Sequence, residues 1–293
     1  MKIKKGNICL LILCIITGFL SFRVFENNTP EIIEWNRFLN RLEDSIRKIK
    51  DIRMNIYASE RQQNDNEFRT ARSFVKIKYV SPSTKKIYLK NPEKGLEILY
   101  NPEKSIKALV KPHIFPYLPL WLDPGGSLMR KNQHYTIRDL GFDFILLAIK
   151  MSMARDKDFV KHIRWAPSVT LNQYDCMVMI YENPDFGYTE HRVDEKENLD
   201  FLCLRLCINH YLVRIHNDLY NDYRPVKKGM ILKIPKFYCK KAIIAFDKKT
   251  FLPVVISLYD EKGMFEHYEY TNIRLNTSIP DEEFSRDYKE YGF

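Results

Sequence analysis

The period of apolar and polar positions changes several times along the chain, and each change marks an element. From Thr29 to Ile49 the apolar residues Trp35, Phe38, Leu39, Leu42, Ile46 and Ile49 recur at three and four. Arg37, Arg41, Glu43, Asp44, Arg47 and Lys48 take the other side. This spacing predicts an amphipathic helix that needs an apolar surface to lie on, with Thr29 as its N-cap and Pro30 in the first position. From Ile52 to Lys111 the period falls to two. Met54, Ile56 and Ala58 alternate with Asn55, Tyr57 and Ser59, and residues 74–80, 86–90, 96–100 and 105–110 form further short strands between Ser-Pro-Ser, Asn-Pro and Lys-Gly turns. The pattern is that of an antiparallel meander with one buried face.

Something must cover that face. Residues 122–126 read as a turn, and Thr136 then opens a run holding Leu140, Phe142, Phe144, Ile145, Leu146, Leu147, Ile149 and Met151. It is apolar almost all round at its start, as suits a helix sandwiched against a sheet, and Val160, Ile163 and Trp165 continue the contact. Strand spacing returns at 174–181, then at 237–247, 253–259 and 267–275, with a hairpin turn at Asp260–Gly263. The last residues, 280–293, are rich in aromatics that need burial and predict a cap.

The stretch from His191 to Pro235 interrupts this sheet. Leu199, Leu202, Leu206 and Ile208 form one short helical stripe. Leu212 and Ile215, followed by Asn217, mark a second helix and its end, with strands at Val193 and at Ile231–Ile234. The result is a β-α-α-β unit too small for a large core. It is expected to project from its host, with its strands paired to each other.

Composition changes the picture at the start of the chain. Lys2, Lys4 and Lys5 precede an apolar run from Ile8 to Phe22, which reads as a secretory signal or an uncleaved N-terminal anchor over residues 1–22. Export then recasts the formal charge of +10. Lysines and arginines are spread among 37 acids without a basic stripe, so nucleic acid is not an expected partner. Beyond the signal four cysteines remain, Cys176, Cys203, Cys207 and Cys239, and sequence does not choose among their pairings. No HExxH, GxSxG or Walker pattern occurs and the seven histidines are scattered. No catalytic residue, metal ligand or cofactor is therefore expected.

Two resemblances add to this reading. Val193, Leu199, Ile208, Leu212, Ile215 and Asn217, with the close Val226, Gly229, Leu232, Ile234 and Pro235, resemble the lysin motif (LysM), a module that binds N-acetylglucosamine-containing glycans such as peptidoglycan. Lys196, Glu197 and Asn198 stand where that family has Gly-Asp-Thr. The resemblance implies a shallow glycan groove between Lys196, Glu197, Asn198 and Leu199 on one side and Pro225, Val226 and Lys227 on the other. Residues 30–182 and 237–293 resemble an uncharacterised bacterial envelope family related to the lipoprotein-carrier (LolA-like) fold. LEILYNPEKSIKALV (96–110), LDPGGSLM (122–129), TIRDLG (136–141), AFDKKTFLPVVISLYDEKG (245–263), YEYTNIRLN (268–276) and DEEF (281–284) carry it. It implies an α+β fold, a curved, half-open antiparallel β-barrel with helices on its concave side, whose relatives hold acyl chains or lipoproteins. Trp35, Phe38, Phe142 and Phe144 either line a hydrophobic cavity or fill a solid core. The expected function is a non-enzymatic exported envelope protein, a carrier-like barrel tethered to glycan by its insert. The alternative is a periplasmic lipid or lipoprotein carrier whose insert is structural.

Overall fold

The computed structural model describes residues 28–63, 67–112, 115, 117–219 and 225–293. The expected signal or anchor at 1–22 lies outside them. An α-helix, α1 (Asn28–Arg47), leads into six strands: β1 (Asp51–Arg61), β2 (Phe68–Ser81), β3 (Thr84–Asn91), β4 (Leu96–Tyr100), β5 (Ala108–Lys111) and β6 (Leu120–Leu122). The short helix α2 (Ser127–Arg130) and the longer α3 (Phe142–Arg155) follow, then β7 (Ile163–Leu171) and β8 (Tyr174–Glu182). After β9 (Tyr188–Arg192), α4 (Leu199–Arg205), α5 (His210–His216) and β10 (Ile231–Pro235) come the strands β11 (Lys241–Asp247), β12 (Pro253–Asp260) and β13 (Gly263–Leu275), with a 3-10 turn at Asp281–Phe284 beyond them.

Eleven strands form one antiparallel sheet in the order β6-β5-β4-β3-β2-β1-β13-β12-β11-β8-β7. β6 and β7 are its edges, so the sheet stays open. Against the sequence expectation, α1 already includes Asn28, and β7 is a full strand where only a loose apolar contact was expected. β7 carries Pro167 and a register shift between Ala166 and Val169, and an edge strand tolerates both because its outer donors have no partner to lose.

One face of the sheet carries the helices. Trp35, Phe38, Leu42 and Ile46 of α1 and Phe142, Ile145 and Ile149 of α3 are buried with Ile52, Met54, Val75, Ile77 and Phe246 in one core. The other face is covered in part by the C-terminal segment, where Ile279 and Phe284 pack on Tyr88, Leu99 and Leu109 and Tyr291 stacks on Tyr88 at 3.7 Å. Glu283 reaches through this layer to Arg53 (2.6 Å) and Lys76 (2.5 Å). Those two cations, led by the Arg53 hydrogen bond, lower its pKa to about 2 against the penalty of burial.

β9 and β10 pair only with each other. Val193, Leu199, Leu202, Val213, Val226 and Leu232 form a separate small core. Asn198 and Asn209 cap the two helices through their side-chain oxygens, and Cys207 takes a left-handed φ of 56° in the turn between them. The unit does not project. Tyr211 and Leu212 of α5 belong to the core of the host, and Tyr211 lies 3.8 Å from the ring of His134. The four cysteines among the described residues are free.

Candidate functional site

Pairing register decides where the helix-bearing face is full and where it is not. Ala58 of β1 stands opposite Ala71 of β2, and Ile56 opposite Ser73. Above them α3 brings Ala148 between Ile145 and Ile149, and across the sheet β11 offers Ala242. Small side chains facing small side chains leave a space. A cavity of about 260 Å³ remains between sheet and helix, walled by Ile98, Ile145, Ile149, Ile244, Ile256 and Leu258. The volume exceeds the ~150 Å³ of an aliphatic cavity that stays dry and takes a benzene, and falls just short of the ~300 Å³ at which compact small-molecule pockets begin. A slender chain fits it better than a ring system.

One end of the cavity is polar. Glu60 of β1 and Glu266 of β13 are cross-strand partners, and two carboxylates directly opposite repel unless a cation joins them. His134, fully enclosed on the loop before α3, supplies it: its Nδ1 lies 2.8 Å from Glu266 and its Nε2 2.9 Å from the carbonyl oxygen of Arg61, while its backbone N–H donates to Glu60 at 3.3 Å. Burial alone would lower the His134 pKa, but Glu60 and Glu266 outweigh it and hold it above its ordinary value. Tyr135 donates to Glu266 (2.8 Å) and Tyr268 to Glu60 (2.6 Å), and Tyr135 shares a 3.2 Å contact with Tyr238. Burial, then the nearby Glu266 or Glu60, keeps all three phenols protonated as donors. Asn209, which caps α5, adds a bond to Tyr135. The insert thus completes the polar end.

Outside the cavity a broader cleft of about 1160 Å³ runs between the 123–139 loop, α3 and α4. Tyr135, Phe144 and Tyr238 line both spaces and form the partition between them, with the rings of Tyr135 and Phe144 5.1 Å apart. At the foot of α3, Gly141 has φ 117°, and a Cβ there would meet Asp143 Oδ1 at 2.6 Å and the Tyr79 hydroxyl at 2.7 Å. Tyr79 and Lys85 both bond Asp143 at 2.6 Å, which fixes the helix start beneath the cavity.

Of the four aromatics expected at a cavity or in a core, Phe144 lines the cavity, whereas Trp35, Phe38 and Phe142 lie in the packed core beside it. In the insert, the two loops expected to flank a groove are brought together by a bridge in which Glu197 and Val226 exchange backbone hydrogen bonds. Leu199 and Val226 are buried in the unit's own core, while Lys196, Asn198, Pro225 and Lys227 are exposed. Asn198 and Pro225 open onto the cleft that faces the host. Sequence reading missed Glu60, His134 and Glu266. A signal existed: Glu60 continues the inward phase of Met54, Ile56 and Ala58, and Glu266 shares that of Tyr268 and Tyr270.

Comparison with known proteins gives the following. Residues 226–293 match a family described as a protein of unknown function (DUF1571), a span that covers β10 to the C-terminus and includes Tyr238, Glu266 and Tyr268. No curated protein matches. Among solved structures the chain is similar to MucB, with 9% identity and a TM-score of 0.43 over 86% of this chain and 62% of that one. It therefore spans less than two thirds of MucB. It is also similar to a LolA superfamily protein from Nitrosomonas europaea, with 12% identity, a TM-score of 0.32 and coverage of 86% and 98%. The Mycobacterium tuberculosis lipoprotein LppX gives 8% identity, a TM-score of 0.37 and coverage of 84% and 98%.

Proposed function

We propose that this chain is a non-enzymatic carrier at the bacterial cell envelope that shelters one acyl chain of a lipid or lipoprotein between its sheet and α3. The cavity carries this reading: a largely apolar space left by Ala58, Ala71, Ala148 and Ala242 that has a hydrogen-bonding end. Transfer of an acyl chain into it removes apolar surface from water at roughly 25 cal/mol per Å². The amphiphile's polar end meets Tyr135, Tyr238 and Glu266, and the partition of Tyr135, Phe144 and Tyr238 separates cargo from the outer cleft. Rotation of Phe144 joins the two spaces, so loading and release proceed through that cleft. The resemblance of 96–110 and 245–263 to an uncharacterised envelope family related to the lipoprotein-carrier fold fits this assignment.

The test is mass spectrometry of lipids extracted from the purified full chain. One linear-chain amphiphile per protein, absent from an Ala148→Phe variant, supports the reading. Equal lipid content in both proteins would overturn it.

A second reading is favoured by the juxtaposition of the 196–199 and 225–227 loops. In it the insert is a LysM-like module that holds a peptidoglycan or other N-acetylglucosamine-containing chain through Lys196, Asn198, Pro225 and Lys227. Chitin oligomers titrated into the full chain would shift amide signals of those loops if it holds, and leave them unmoved if the insert only docks on the host.

A further inference from the structure

The protons around Glu60 and Glu266 are already committed. Tyr135 gives its hydroxyl proton to Glu266, and Tyr268 gives its own to Glu60. With Tyr135 committed, Tyr238 is the donor in the 3.2 Å contact between the two phenols. The Asn209 amide turns to Tyr135 and to Glu266. His134 meets an acceptor at each ring nitrogen, Glu266 at Nδ1 and the Arg61 carbonyl at Nε2, so both nitrogens donate.

Lone pairs are left over. A carboxylate accepts about four hydrogen bonds, and Glu266 receives them from His134, Asn209 and Tyr135 only. Among the described residues nothing donates to Tyr238 or Tyr268, and both line the cavity. Tyr238 and Glu266 are buried, so water does not readily fill these places.

Charge points the same way. Glu60, Asp139 and Glu266 line the cavity, and Arg69 is the cation among the lining residues. Arg69 stands opposite Glu60 on the side away from Glu266 and donates to the Asn132 carbonyl at 2.8 Å. With Gln133, which also lines the cavity, it is the other seat a polar head could take. A carboxylate or phosphate set against Tyr238 and Glu266 would meet acceptors and a charge of its own sign, which burial makes costly.

We infer that the cargo's head group is a hydrogen-bond donor without negative charge, an alcohol or an amine, and that it donates to Tyr238 and Glu266. This rests on the carrier reading and names the head group of the cargo that the cavity shelters.

Three probes that share one tetraene chain test it: cis-parinaric acid, its alcohol and its methyl ester, each titrated into the full chain at about pH 8, where the acid is ionised. The alcohol should bind about tenfold tighter than the ionised acid. It should also bind more tightly than the ester, which has no proton to give. In Tyr238→Phe, checked for an unchanged melting temperature, the alcohol should lose most of its advantage over the ester. An acid that binds as tightly as the alcohol overturns the inference, as does an alcohol advantage that survives Tyr238→Phe in full. Tighter binding of the acid that disappears in Arg69→Gln would seat an anionic head on Arg69 and overturn it too. No saturable rise with any of the three probes is a different failure, that of the carrier reading itself, and the inference falls with it.

Discussion

Two stretches of the same sheet face, one beneath α1 and one beneath α3, are built from different side chains. Beneath α1, Phe38 stands 4.9 Å from Phe246, 5.0 Å from Trp165 and 5.5 Å from Trp35, ring centre to ring centre. Large side chains meet large ones. Beneath α3 the sheet offers Ala58, Ala71 and Ser73, the helix answers with Ala148, and the space stays open. Burying apolar surface is thus not the whole account of the inner face. Native cores are packed as densely as organic crystals, so a region that departs from this density forgoes stability, and it is the region with a polar cluster at its end and a cleft outside. That difference separates scaffold from site.

The largest expected effect breaks the solid side. Phe38→Ala should cost ~3–5 kcal/mol in urea unfolding, the usual range for an aromatic removed from a packed core. Phe144→Ala, at a wall already facing empty space, should cost only about 1 kcal/mol while speeding exchange of a bound probe. Equal costs at the two positions would erase the contrast.

Filling the hollow side comes next. Ala148→Leu adds volume where volume is missing, so stability should move by less than ~1.5 kcal/mol while the cavity stops accepting an acyl chain. A loss of several kcal/mol would show that the space is not there.

The polar end supplies a pH test. His134 has its pKa raised in the folded state, so its contribution is fully present below its unfolded value of 6.5 and is lost as pH rises through the higher folded value. Melting temperature should therefore fall on the alkaline side of 6.5, and His134→Gln should flatten that slope. A slope of the opposite sign would mean that His134 is held neutral.

Glu283, on the far face, tests the opposite sign and a smaller effect. Its folded pKa of about 2 lies below the ordinary glutamate value of 4.5, so its contribution is present above 4.5 and fades as pH falls toward 2. Glu283→Gln should flatten this acid limb alone and leave probe binding intact.

Much of the scaffold was legible in the sequence. The three-four stripe of α1, the period-two strands and the interruption at 191–235 all show in the order of residues, because each is a local pattern. The cavity does not. Ala58 reads as an ordinary inward position and Ala71 lies ahead of the strand expected at 74–80, and only the strand register and the placement of α3 make them face Ala148. The polar end escaped for the same reason: His134 and Glu266 are 132 residues apart in the chain, so each looks like a lone titratable group. Pro167 hid β7, since a proline argues against a strand unless that strand is known to lie at an edge. The insert was visible as a unit, but its docking was not. Tyr211 belongs to a helical stripe that could face either core, and it faces that of the host.

The most direct measurement is titration of cis-parinaric acid, whose emission rises when it leaves water, into the wild-type full chain and into Ala148→Phe. If the space beneath α3 is a cargo site, the wild type binds one fatty acid saturably, and the variant folds with an unchanged circular-dichroism spectrum but gives no saturable rise. Identical titration curves for the two proteins, or no saturable binding to the wild type, would contradict the account.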